Sequence, residues 1–333
     1  MQSQPQVYIV TYGCKVNYYE SESVASLLSA ARVPNRMITD GAIARVQDAA
    51  VFVVNSCAVT SMAEKKVRYG LHKIAKYHPH ATVVSMGCAL GRKTPEDVAT
   101  AVCKALGQSI PPHAVIPEHA RERAFIKVQD GCQNFCSYCI IPYRRNQLSH
   151  RNVAEVTAEI NAQTPHVTEI VLCGINLCYY PNFADLCRAV DACGRRWWIS
   201  SLEPPILTPN LIQTLRQCPN FVPNFHICLQ SGSDNVLQAM NRHYTTADYA
   251  RIIHELRTAF PHAYFATDII VGYPTETDTD FQMTYNFLQQ IKLNKLHLFP
   301  FSPRPGTPAA ALKPLTNTIV TRRCQQLATL CEN

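Results

Sequence analysis

Apolar positions in the first third of the chain come in short unbroken blocks. Residues 7–10, 50–54 and 81–86 are runs rich in Val, Ile, Ala and Met, each closed by turn-forming residues. Continuous runs of this length predict strands covered on both faces. Between them, residues 19–31, 61–77 and 95–106 space their apolar positions at helical intervals. Strand and helix in alternation predict an open parallel α/β sheet. Ile110-Pro111-Pro112-His113 reads as a loop and Pro117-Glu118 as a boundary. The first domain is therefore expected over 1–117.

The alternation restarts after the boundary. Strands are predicted at 124–129, 168–173, 197–201, 224–229, 264–271 and 295–299. Helices are predicted at 153–162, 183–192, 246–260 and 278–291, with a last one at 317–330. Six β/α units are too few for a closed eight-unit barrel. The second domain, 118–333, is expected to be an open, partial (β/α)6 barrel, and the fold class is α/β.

Composition adds the first chemical information. Hydrophobic residues make up 47% of the 333 positions, as in a globular protein. No apolar run approaches the ~20 residues that span a bilayer, and residues 1–5 are polar, so neither a membrane span nor a leader is expected. Fifteen cysteines in such a chain suit metal ligation in a reducing, cytoplasmic compartment better than a disulfide framework. The net charge of +7 permits a polyanionic partner. Basic residues gather at Lys65, Lys66, Arg68, Lys73 and Lys76 on one predicted helix. Others stand at Arg144, Arg145 and Arg151, at Arg195 and Arg196, and at Arg322 and Arg323.

Six of the cysteines form two sets. Cys132, Cys136 and Cys139 follow a predicted strand with the spacing C-x3-C-x2-C. Three thiolates on one loop can hold three irons of a [4Fe–4S] cluster, leaving one iron open to a further ligand. Phe135, Tyr138 and Tyr143 are expected to screen it from water. The alternative is a zinc knuckle, for which His150 is the nearest fourth ligand. Cys14, Cys57 and Cys88 each stand just beyond a predicted strand end, where functional groups of α/β sheets gather. Singly, each reads as a small buried hydrophobe; together they read as a second cluster site. The other nine read as packing residues.

The ordered motifs resemble the methylthiotransferase family of radical S-adenosylmethionine (SAM) enzymes, from residue 7 to about 310. They are Thr11-Tyr12-Gly13-Cys14-Lys15-Val16-Asn17, Asn55-Ser56-Cys57-Ala58-Val59-Thr60, Gly87-Cys88 and the Cys132–Cys139 loop. In the barrel they are Leu229-Gln230-Ser231-Gly232-Ser233, Met240-Asn241-Arg242, the run from Thr267 to Pro274 and Ser302-Pro303-Arg304-Pro305-Gly306-Thr307. The resemblance implies two [4Fe–4S] clusters with open irons facing a shared cleft. The cluster on Cys132, Cys136 and Cys139 would reduce SAM and release a 5′-deoxyadenosyl radical that takes hydrogen from a C–H bond. The cluster on Cys14, Cys57 and Cys88 would carry the sulfur, methylated by a second SAM. An electron donor such as flavodoxin or ferredoxin is implied as well.

The resemblance also assigns finer roles. Gly174 and Asn176 would lie near the methionine moiety of SAM, Ser201 and Glu203 near its ribose, and Gln230 and Ser231 at the same mouth. Apart from the resemblance, Arg144 and Arg145 flank the cluster loop, where their charge would hold the phosphates of a nucleic acid. Lys15-Val16-Asn17 after Cys14 is similar to the branch that modifies N6-threonylcarbamoyladenosine beside the tRNA anticodon. The neighbouring branches act on isopentenyladenosine in tRNA or on a ribosomal protein. Two departures stand out. The loop continues Tyr143-Arg144-Arg145-Asn146 where the family has an Arg-Gly step, and the chain stops at Asn333, where members continue into a small RNA-binding β-barrel (TRAM). Phosphate contacts are then expected from the two domains themselves, with Lys65, Lys66, Arg322 and Arg323 as exposed candidates. A non-catalytic iron–sulfur or zinc protein is the reading from another class.

Overall fold

The first apolar blocks form strands β1 (Val7–Thr11), β3 (Val51–Ser56) and β4 (Thr82–Gly87), with a further strand β2 (Asn35–Ile38). Helices α1 (Lys15–Ala30), α2 (Ser61–Tyr77) and α3 (Pro95–Ala105) alternate with them. The computed structural model describes residues 7–108, 119 and 121–331. The expected loop at 110–113, the boundary at 117–118 and residues 1–5 lie outside the described residues. Two units are distinguished: residues 1–127 with 143–145 and 158–168, and residues 128–142, 146–157 and 169–333.

In the first unit the sheet order is β2-β1-β3-β4, all parallel. Val7, Ile9, Val51, Val53, Val84 and Met86 face one side, where Val24, Leu27 and Leu28 of α1 and Val98 and Val102 of α3 meet them. Tyr8, Val10, Phe52 and Val54 face the other side, toward Val67 and Ile74 of α2. Burial on both faces explains why these strands read as unbroken apolar runs. Each such side chain contributes about 1.5–3 kcal/mol. The helix starts are fixed by capping: Thr60 accepts from the Ala63 amide, and Thr94 forms a capping box with Asp97 ahead of Pro95. Gly70 lets α2 sit close on Tyr12, since a Cβ there would fall 1.8 Å from the Tyr12 hydroxyl.

The second alternation gives β5 (Arg123–Asp130), a short α4 (Ile141–Arg144), β6 (Ser149–His150), α5 (Val153–Ala162), β7 (Glu169–Gly174), α6 (Phe183–Asp191) and β8 (Arg196–Ile199). It continues with α7 (Pro209–Arg216), β9 (Asn224–His226), α8 (Asp234–Ala239), α9 (Thr246–Ala259), β10 (Tyr264–Val271), α10 (Asp278–Ile291), β11 (Lys295–Pro300) and α11 (Asn317–Ala328). Two sheets result, β6-β5-β7-β8 and β9-β10-β11. Parallel bridges Trp197↔Phe221 and Leu202↔Ile227 join them. The array is the open partial barrel expected, with the two-residue β6 added as an antiparallel edge.

Helix α11 is locked down by charge. Arg323 is 2% exposed and pairs with Glu276 at 2.5 Å and Asp278 at 2.8 Å. The expected exposed pair at 322–323 is thus reduced to Arg322, because Arg323 is committed to two carboxylates. Among the described residues, no helix is long and apolar enough to cross a membrane.

Candidate cysteine centres

In the first unit Cys14, Cys57 and Cys88 follow β1, β3 and β4 at one edge of adjacent strands. Uncharged hydrogen bonds stitch the three turns together. The Asn17 side chain accepts from the Cys14 amide at 3.2 Å and donates to the Asn55 side chain at 2.9 Å. Asn55 returns a bond to the Asn17 carbonyl at 2.8 Å. The Ser56 hydroxyl donates to the Met86 carbonyl at 2.7 Å and accepts from the amides of Ala89 and Leu90. The turns after β1 and β3 adjoin closely: Cys57 Cβ is 3.1 Å from where a Gly13 Cβ would stand.

Arg145 belongs to this unit and is 2% exposed. Its Nε donates to Cys88 Sγ at 3.1 Å, while Nη1 and Nη2 grip Glu20 at 2.8 and 2.9 Å. Lys127 reaches the same carboxylate at 3.0 Å. Burial pushes the Glu20 carboxyl up, but Lys127 and Arg145 together outweigh it and hold it below its ordinary value. Burial raises the Cys88 thiol, and Arg145 opposes that rise. The sequence placed Arg145 at a phosphate; burial and a bidentate carboxylate occupy it instead. Arg144 is exposed.

In the second unit the loop from Asp130 to Cys139 is built around Gly131. Its φ is +86°, and a Cβ there would meet the Gln147 carbonyl oxygen at 2.1 Å. Gln129 donates to the carbonyls of Asp130 and Gly131, both at 2.7 Å, and accepts from the Asn176 amide at 2.8 Å. Asn241 donates to the carbonyls of Asn134 and Phe135. Ser137 is held by its amide on the Met240 carbonyl and its hydroxyl beside Tyr273.

Donors point at two of the three sulfurs. Arg242 Nη1 lies 3.1 Å from Cys136 Sγ, and Asn176 Nδ2 lies 3.6 Å from Cys132 Sγ. Arg242 is itself 8% exposed, pairs with Glu203 and donates to the Tyr244 hydroxyl at 3.1 Å. Burial raises all three thiols, Cys139 to about 12.

Both centres thus share one construction: a buried arginine directed at a cysteine sulfur and held from behind by a glutamate. Among the described residues, no three of these sulfurs lie within 4.8 Å of one another. A single tetrahedral zinc needs its sulfurs about 3.8 Å apart. Wider spacing suits a cluster that gives each thiolate its own iron. His150 is exposed on β6, with its ring edge-on to Tyr180 at 5.5 Å.

The other expected site residues divide. Asn176 and Glu203 lie against the second-unit loop, the latter through Arg242. Gly174 is packed, and its Cβ would meet Leu177 at 2.7 Å and Gln129 at 3.0 Å. Ser201 is exposed, with its hydroxyl 3.5 Å from His226 Nδ1. Gln230 has φ +69° and bridges to Ile269. Ser231 is buried, its hydroxyl set between Thr284 and the Ser233 amide, so it faces no open mouth. Of the three aromatic screens, Phe135 and Tyr143 are 45% and 47% exposed. Only Tyr138 is packed inward, against the Val236–Met240–Tyr273 cluster. Sequence reasoning missed Gln129 and the roles of Glu20 and Arg242; the Met240-Asn241-Arg242 motif was the available signal for the last.

Two family models match the chain: the radical SAM superfamily over residues 126–288, and an uncharacterized protein family, UPF0004, over 6–105. The threonylcarbamoyladenosine tRNA methylthiotransferase MtaB of Thermotoga maritima is 33% identical, with 92% of this chain and 77% of that protein covered. Its Bacillus subtilis counterpart is 32% identical over 91% and 75%. The tRNA-2-methylthio-N(6)-dimethylallyladenosine synthase of Mycobacterium ulcerans is 33% identical over 97% and 69%. Among solved structures, the radical SAM methyltransferase TsrM of Kitasatospora setae matches with a TM-score of 0.67 at 13% identity, over 92% and 77%.

Proposed function

The chain belongs to the methylthiotransferase family of radical SAM enzymes, and on that premise we propose that it adds a methylthio group to carbon 2 of N6-threonylcarbamoyladenosine next to the anticodon of tRNA. The observation that carries the reading is the pair of cysteine centres, each with an arginine directed at one sulfur. When bound, the clusters and SAM supply the radical and sulfur chemistry. The protein's own residues hold and tune: Arg242 and Asn176 direct donors at the Cys136 and Cys132 sulfurs, and Arg145 does so at Cys88. A donor on a ligand sulfur favours the thiolate and bears on cluster potential.

In this reading Cys132, Cys136 and Cys139 hold the SAM-binding cluster, and Cys14, Cys57 and Cys88 hold a second one. Gly174, Asn176, Ser201, Glu203 and Gln230 face SAM. The first domain ends near residue 117. Electrons come from a small reductant of the flavodoxin or ferredoxin class, and the setting is the cytoplasm. tRNA phosphates meet Arg144 and the exposed face of α2, which carries Lys65, Lys66, Arg68 and Tyr69.

The relatives that act on dimethylallyladenosine are as similar in identity as those that act on threonylcarbamoyladenosine. Lys15-Val16-Asn17 after Cys14 decides for the latter. Nucleoside mass spectrometry of tRNA from a strain lacking the gene, with and without the gene restored, tests the substrate. Loss of the methylthio group from dimethylallyladenosine instead would move the chain to the other branch. Iron counting tests the two centres. Cys57→Ala is expected to remove about half the iron and leave SAM cleavage measurable, whereas Cys132→Ala abolishes cleavage. Full iron in Cys57→Ala would remove the second cluster.

A further inference from the structure

A third group of metal-ligand side chains stands in the second unit, apart from the six cysteines above. His226 ends β9, Cys228 follows it two residues on, and Asp268 lies on the paired strand β10. Among the described residues this is the one group of three or more His, Cys, Asp or Glu whose ligand atoms all fall within 4.8 Å of one another. His226 Nε2 is 2.8 Å from Asp268 Oδ1, and Cys228 Sγ is 3.6 Å from Asp268 Oδ2.

We propose that His226, Cys228 and Asp268 form a binding site for a single divalent ion of the zinc class. One imidazole nitrogen, one thiolate and one carboxylate are the borderline ligand set that zinc takes, with three protein ligands leaving a fourth position open. Tetrahedral zinc wants its nitrogen and oxygen ligands about 3.3 Å apart, so the His226–Asp268 pair has to open by about half an ångström to admit the ion. The far side of the His226 ring is occupied as well. The second ring nitrogen, Nδ1, lies 3.5 Å from the Ser201 hydroxyl, and the His297 ring stacks on His226 at 5.1 Å and 12°. Parallel pairing of β9 and β10 fixes the spacing from the backbone. His226 and Asp268 keep 18% and 21% of their side chains accessible, which leaves the ion an entry path and its fourth position a water or a substrate oxygen. Binding displaces the Cys228 thiol proton to solvent, and the burial that keeps that thiol protonated in the metal-free protein is offset by the ion's charge.

The test uses the iron-loaded protein, so that the six cluster cysteines are occupied. It is incubated with zinc chloride and passed over a chelating resin. Metal content and the zinc absorption edge are then recorded. The expected result is about one zinc per chain with a single sulfur neighbour at about 2.3 Å. Cys228→Ser removes the sulfur signal, and His226→Gln and Asp268→Asn lower retained zinc at least tenfold, each with iron content unchanged as the control for folding. No retained zinc in the iron-loaded parent overturns the proposal. So does retention equal in all three variants, or a shell of three sulfurs, which would place the ion on a cluster loop.

Discussion

Arg145→Met removes a guanidinium that grips both oxygens of Glu20 and donates to Cys88. Glu20 is 4% exposed and keeps Lys127, at 3.0 Å, as its cation among the described residues. Removing one partner of a buried ion pair costs about 3–5 kcal/mol, because the other charge is left uncompensated. With Lys127 retained, the low end applies, about 3 kcal/mol. Trp197 and Trp198 both belong to the second unit, so tryptophan emission does not report this loss. Hydrogen exchange of peptides covering β3 and β4 does, and a 3 kcal/mol loss raises exchange there by about a hundredfold. Adding Glu20→Leu to Arg145→Met is expected to restore part of the stability, since no carboxylate is then left under-compensated in the interior and Lys127 keeps 17% of its side chain exposed to water. In the iron-loaded protein, the lost donor on Cys88 is expected to lower the potential of the first-unit cluster. Exchange unchanged within threefold, together with a lost salt dependence of tRNA binding, would refute this reasoning and return Arg145 to the surface.

His119 provides a pH test. It is buried between Glu22 at 2.7 Å and Glu159 at 3.3 Å. Burial pushes its pKa down, but the hydrogen bonds to Glu159 and Glu22 outweigh that and hold it at about 9. The folded value lies above the unfolded 6.5, so its contribution is complete below pH 6.5 and is lost as pH rises through 9. Urea titrations of the first unit, followed by exchange, are expected to show a loss on the order of 3 kcal/mol across that window that His119→Gln lacks. Gly131→Ala, with a Cβ 2.1 Å from the Gln147 carbonyl at φ +86°, is expected to lose the second-unit cluster iron while the first-unit iron stays. Lys65→Ala, Lys66→Ala and Arg68→Ala on α2 are each expected to weaken tRNA binding and lower its salt slope by about one, measured by filter binding across a salt series.

Strands were legible where burial made them continuous: β1, β3 and β10 are covered on both faces and β4, with Val83 exposed, on one, and all four were expected within two residues of where they lie. Strand β2, Asn-Arg-Met-Ile at the sheet edge, is mixed in polarity and carries no such signal. Helix α1 starts at Lys15 rather than residue 19, because its first turn buries Asn17, a polar residue that the apolar pattern passes over. The cysteine positions were legible because strand ends and spacing mark them. The residues behind them were not. Arg145 and Arg144 are adjacent and identical in type, yet one is buried and the other exposed. What separates them is Glu20, 125 positions away in the chain. Arg323 and its carboxylates repeat the case. A local pattern reports that a charge is present; only the fold says whether a counter-charge is waiting for it.

The stitching of the first three turns by Asn17, Asn55 and Ser56 has a consequence for the removal of iron. A zinc finger is unfolded until metal arrives, because its ligands supply the cohesion. Here the turns are joined by neutral side-chain bonds and stand on a sheet with two apolar faces, so their cohesion does not rest on metal ligands. On the proposed reading of Cys14, Cys57 and Cys88 as cluster ligands, a chelator is expected to strip that iron without melting β1, β3 and β4, and hydrogen exchange of those strands before and after stripping checks it.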